Sequence, residues 1–135
     1  MAEKVSEIEG IGPSHATRLE AAGIKTTDDL LERCADPSGR KKVADATGLG
    51  ESLLLRWANM ADLMRVSGIG RQYAELLEAA GVDTIKELRN RNAENLAARM
   101  QEVNAERNLS GNAPPASMVK AWIEQAQLLD PKLTY

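Results

Sequence analysis

Apolar positions along this chain fall at helical spacings. Leu54, Trp57 and Ala61 lie three and four residues apart, as do Val119, Trp122 and Ala126, which places each trio on one helix face. The two stretches read as long helices, about Glu51 to Met64 and Ala116 to Leu129. Shorter helices are marked by their punctuation. Gly23 and Gly81 stand where a left-handed C-terminal cap calls for glycine, and Thr26 with Asp29, like Thr84 with Glu87, has the spacing of a capping box opening a new helix. Leu30 and Leu31 form the apolar side of the first such helix. Asp36-Pro37-Ser38-Gly39 then reads as a break, a helix near Arg40 to Ala46 follows, and Gly48-Leu49-Gly50 leads into the long helix. Another helix is expected near Ala93 to Glu106. No segment alternates like a strand for more than a few residues, so the expected class is all-α.

The pattern occurs twice. Gly10 through Leu30 returns, shifted by 58 positions, as Gly68 through Leu88, with 11 of 21 residues identical. Farther on, Leu54, Trp57, Ala61 and Leu63 match Val119, Trp122, Ala126 and Leu128 at a shift of 65, so the second copy holds about seven extra residues, assigned to a loop at Asn108 to Pro115. The division is residues 1–64 and 65–135, two duplicated units expected to pack pseudo-symmetrically into one compact helical domain. A chain of 135 residues suits one ordinary domain or two very small ones sharing a core.

Aromatics make up only 3% and Phe is absent, so the core must come from Ala, Leu, Ile, Val and Met, with Trp57 and Trp122 as matched core residues. One cysteine, Cys34, excludes an internal disulfide and reads as a small buried residue; one histidine, His15, excludes a multi-histidine metal site, and it is expected to be exposed. No cofactor or metal is expected. No apolar run spans a bilayer and no signal-peptide pattern opens the chain, so a cytoplasmic location without membrane partners is expected. Net charge is −3, the wrong sign for a generic polyanion binder. The acidic excess sits in residues 1–64, with 8 basic and 11 acidic side chains, whereas residues 65–135 carry 9 of each.

The chemistry centres on two glycine pairs. In Gly10-Ile11-Gly12 and Gly68-Ile69-Gly70 the glycines permit a tight hairpin, the isoleucine plugs inward, and the amides at the start of the next helix are left to meet an anion. Ala16 and Ala74 let that helix lie close, and Leu19 and Leu77 anchor it. These residues resemble the helix-hairpin-helix motif, whose family reads the DNA backbone without sequence preference. More closely, Ile8 through Pro13, Ala22-Gly23-Ile24, Ala61 through Gly70, Ala80 through Thr84 and Trp122-Ile123 resemble a bacterial family of tandem helix-hairpin-helix proteins catalogued as domain of unknown function 4332. That resemblance implies the fold and no activity. DNA binding is implied only by the broader motif.

Carried over residue by residue, the implied DNA-contacting positions are Gly68, Ile69, Gly70, Arg71, Gln72 and Arg65 in the second hairpin, and Gly10, Ile11, Gly12, Ser14 and His15 in the first. The first is weakened by Glu7 and Glu9 just before it, and the second is the better phosphate site because it offers Arg71 and Arg65. Arg40, Lys41 and Lys42 read as a solvated helix face. No nucleophile, base and orienting group stand at workable spacings, and no phosphate-loop sequence is present, so an enzyme is not expected. The expectation is a non-enzymatic module that holds a DNA phosphate backbone through hairpin amides. The alternative is a protein-interaction adaptor that kept the fold without DNA binding, which the acidic balance favours.

Overall fold

The computed structural model describes residues 3–135. Among them a single 3-10 turn, Val5–Glu7, precedes eight α-helices: α1 (Pro13–Ala21), α2 (Thr27–Arg33), α3 (Pro37–Thr47), α4 (Glu51–Leu63), α5 (Arg71–Ala79), α6 (Ile85–Leu88), α7 (Ala93–Arg107) and α8 (Ala116–Gln127). No strand forms among the described residues beyond one antiparallel bridge between Lys4 and Thr26. No described helix is long and apolar enough to cross a membrane.

Local sequence accounts for most helix ends. Thr26 Oγ1 accepts the Asp29 amide at 3.1 Å while Asp29 Oδ2 accepts the Thr26 amide at 3.1 Å, completing the capping box that starts α2. The counterpart before α6 is half made: Thr84 accepts from the Glu87 amide, but the Glu87 carboxylate reaches the Asp83 amide instead. Asp36 to Gly39 is a helix start and not a break. Asp36 accepts the Gly39 amide at 2.7 Å and Pro37, whose missing N–H costs nothing at a first helical position, begins α3 three residues earlier than expected. An alanine methyl at Gly39 would sit 2.3 Å from the Arg33 carbonyl oxygen, so α2 and α3 touch backbone to backbone there.

One hydrophobic cluster runs through both halves of the chain. It includes Ile8, Leu19, Leu30, Leu54 and Met60 from the first half and Leu76, Leu77, Ile85, Met100 and Val119 from the second. α4 packs on α2, α3 and α5, whereas α8 packs on α6 and α7. Leu54, Trp57 and Ala61, and their counterparts Val119, Trp122 and Ala126, are all buried. The correspondence stops at the last position. Leu63 is inaccessible because α4 is central, but Leu128, just past the end of α8, is 86% exposed.

Two polar devices join the halves. Asp62, 1% exposed at the end of α4, takes the Ile85 amide on one oxygen at 2.8 Å and the Arg65 guanidinium on the other at 2.9 Å, so a first-half carboxylate holds the start of α6. The C-terminal segment folds back over the first half. Arg40, expected on a solvated face, is buried; it donates to the Cys34 carbonyl at 3.0 Å and to the Thr134 carbonyl at 2.8 Å. The Thr134 amide donates to the Ala35 carbonyl at 2.8 Å and Leu133 enters the core. Lys41 and Lys42 remain exposed.

Candidate functional site

The two glycine pairs are built alike. Gly10 and Gly68 adopt φ of +93° and +95°, a region that L side chains resist, and each lies against an indole: a methyl group would stand 3.6 Å from Trp57 Nε1 at Gly10 and 3.2 Å from Trp122 Nε1 at Gly68. Ile11 and Ile69 point into the core. The second glycines differ from expectation. Gly12 and Gly70 are extended N-caps of α1 and α5, with open space around the position of a side chain, so the special backbone belongs to the first glycine alone.

Because the caps are glycines, no side chain takes up the first-turn amides of α1 or α5. Those amides carry the positive end of each helix. The second hairpin has one more to offer, since Pro13 occupies the first helical position of α1 where Arg71 opens α5. All four glycines of the two pairs are exposed. His15 is a correction: it is partly buried, its ring tilted against Trp57 with centroids 5.2 Å apart, just as Tyr73 lies on Trp122 at 5.2 Å. His15 Nδ1 is shielded from solvent without a hydrogen-bond partner.

The structure sorts the predicted cations. Arg65 is not a free phosphate ligand: its guanidinium is spent on Asp62 and on the Asp130 carbonyl, both at 2.9 Å. Arg71 and Gln72 are exposed at the start of α5, and Ser14 is exposed at the start of α1. Arg71 Nε, however, donates to Glu9 Oε2 at 2.9 Å across 62 residues of sequence, so a side chain from just before the first glycine pair reaches the start of α5. Glu9 was expected to weaken the first hairpin; its carboxylate instead engages the second. Glu3 and Glu7 line the same open groove as Gly68, Gly70, Arg65 and Arg71.

Contacts that no local pattern announced complete the second hairpin. The Gln125 side chain from α8 clamps Ser67, accepting its amide at 3.1 Å and donating to its carbonyl at 3.4 Å. The extra loop lies across from α5: Ser110, Gly111 and Asn112 face Gly68, Gly70, Arg71 and Gln72 over an open polar groove. Asn104 holds that loop in shape, accepting the Ser110 amide at 2.9 Å and donating to its carbonyl at 3.1 Å. At Gly48 the Arg18 guanidinium lies near the position a side chain would take. Among the described residues no group of three or more His, Cys, Asp or Glu side chains could hold a metal ion. Burial pushes the Cys34 thiol up to about 11, so it stays protonated and inert.

A sequence profile of the family described as Domain of unknown function (DUF4332) matches residues 9–129. The chain belongs to that family. No curated protein and no solved structure shows significant similarity to it. The DUF4332 match takes in both glycine pairs, all eight helices and both partners of the Arg71 to Glu9 contact, and it stops before the segment that carries Leu133 and Thr134. Both glycine pairs and the Arg71 to Glu9 contact therefore lie inside the part of the chain that the DUF4332 profile matches, whereas Glu3, Glu7, the Asp130 carbonyl and the returning C-terminal segment lie outside it.

Proposed function

We propose that this chain is a tandem helix-hairpin-helix module, its two halves related as duplicated units, that grips the phosphate backbone of DNA without chemistry and without reading bases. The carrying observation is the pair of glycine-capped helix starts. α1 and α5 each begin with no side chain occupying their first-turn amides, and Glu9, four residues before α1, meets Arg71 at the start of α5. Two such starts can receive two phosphates, and amides on phosphate oxygens carry no base information. The contacts fall to the Gly68 to Gln72 segment with Arg71 as the one side-chain cation, and to Gly10 through Gly12 with Ser14. Arg65 supports the hairpin from behind.

The acidic groove favours a second reading, a protein-interaction adaptor on the same fold, because Glu3 and Glu7 stand beside the better hairpin and repel a polyanion. Fluorescence anisotropy with a labelled duplex of random sequence separates the two. Backbone binding predicts a dissociation constant of about 10⁻⁴ to 10⁻⁶ M at physiological salt and tighter at low salt, independence from sequence, and a log K against log salt slope of about −2 to −3 for two or three phosphates. Arg71→Glu abolishes it. No binding at roughly 100 μM protein and about 20 mM salt, where non-specific binders are visible, leaves the adaptor.

A further inference from the structure

The contact between Arg71 and Glu9 is not a by-product of the repeat. At the 58-residue shift Glu9 corresponds to Ser67 and Arg71 corresponds to Pro13, so neither member has a charged counterpart in the other copy. Ser67 is tied to Gln125 through its backbone; in the first copy Glu9 stands in the place of Ser67, Met60 in that of Gln125, and the Glu9 carboxylate reaches outward to Arg71. The pair is also accessible, with side chains 46% and 41% exposed. A guanidinium so placed makes the same charge-assisted contact with a phosphate oxygen as with a carboxylate oxygen. Half-exposed pairs of this kind are weakly held, so the carboxylate is readily exchanged.

We infer that Glu9 is a built-in competitor for the second hairpin, its carboxylate occupying at Arg71 the place of a backbone phosphate oxygen and lowering the module's affinity until a polyanion displaces it. This rests on the DNA-backbone reading of that same hairpin. It assigns to the first hairpin the task of tempering the second. Removing the carboxylate removes the competitor for Arg71, so affinity must rise while the number of phosphates neutralised in the complex stays the same.

The test compares Glu9→Gln with the unaltered chain by anisotropy on the labelled random duplex across a salt series. The expected result is affinity about fivefold higher at low salt, the upper worth of a half-exposed ion pair, with an unchanged slope because the complex neutralises the same phosphates. Glu7→Gln removes one carboxylate from the groove beside Arg71 but leaves the pair intact, and is expected to raise affinity by less than Glu9→Gln. Glu9→Asp keeps the charge and withdraws it by one methylene, and is expected to raise affinity in part, so the result survives if Glu9→Gln fails to fold. Arg71→Gln placed on Glu9→Gln cancels the gain. Equal, measurable binding by the unaltered chain and Glu9→Gln overturns the competitor role and leaves the backbone reading standing. Absence of binding by both overturns the two together. A gain from Glu7→Gln as large as that from Glu9→Gln reduces the effect to net charge and overturns the inference.

Discussion

Alanine at each hairpin glycine gives four substitutions of the same chemistry with different expected costs. At Gly68 the new side chain inherits φ of +95°, worth about 2 kcal/mol for an L residue outside its ordinary wells. Its methyl also meets Trp122 Nε1 at 3.2 Å, which forces the indole or the hairpin to give by a few tenths of an ångström. The total is about 2–3 kcal/mol. With an unfolding entropy near 2.1 cal/mol/K per residue, each kcal/mol lowers Tm by about 3–4 °C in a chain of this length, so Gly68→Ala should melt roughly 7–10 °C lower. Gly10→Ala has the same backbone cost but an ordinary 3.6 Å contact with Trp57, and should lose less than Gly68→Ala, about 2 kcal/mol. Gly12 and Gly70 are extended and open. There the gain of about 0.4–1 kcal/mol from a stiffer unfolded chain opposes a comparable loss of N-cap preference, so alanine should be nearly neutral. Even Gly70→Val should fold, because the position is extended and open. Thermal melts followed by circular dichroism and by Trp fluorescence decide the order. A neutral Gly68→Ala, or a Gly70→Ala that melts as low as Gly68→Ala, would refute the assignment of strain to the first glycine.

Gly39→Ala should destabilise by more than about 2 kcal/mol, although helix propensity alone would favour alanine by about 1 kcal/mol, because its methyl meets the Arg33 carbonyl; urea unfolding midpoints measure this. Asp62→Ala strands the Ile85 amide and unpairs Arg65, and should cost about 3 kcal/mol with earlier loss of hydrogen-exchange protection in α6 than in α4. Glu75 is held above its ordinary range, first by burial and then by the nearby Glu9 carboxylate, so the folded state binds its proton more tightly than the unfolded state and stability falls as pH rises from 4.5 through the raised value. Glu75→Gln should therefore raise Tm at pH 7, with the advantage disappearing below pH 4.5, as read from melts across that range.

Much of the helical skeleton was legible because its signals are local. Thr26 and Asp29 sit three residues apart, so one helical turn brings hydroxyl and carboxylate onto the free amides whatever else the chain does. The two long helices declared themselves by apolar residues three and four apart, and the indoles went inside. Local signals misled where a residue type serves two purposes. Asp-Pro-Ser-Gly suits a turn and a helix N-terminus equally, and the choice fell to the helix because Gly39 lets α3 touch the Arg33 carbonyl. Arg40 looked solvated because basic runs are cheap on a surface; its burial depends on the Cys34 and Thr134 carbonyls, the second 94 residues away.

The candidate site divides the same way. The paired glycines, the inward isoleucines and the absence of any capping side chain at α1 and α5 follow from residues within one or two turns of each other, so the sequence by itself determined that two bare helix starts exist. Which cations serve them was decided only by the tertiary structure. Arg65 is consumed by Asp62 and the Asp130 carbonyl, and Arg71 is paired with Glu9, 62 residues earlier in the chain. A charge's partner is whichever opposite charge or carbonyl the packed core places within about 3 Å, and Coulomb attraction at that range outweighs any preference written in neighbouring residues. Helix starts are a property of short stretches of chain. The electrostatic character of the surface they form is a property of how α4, α5 and α8 pack.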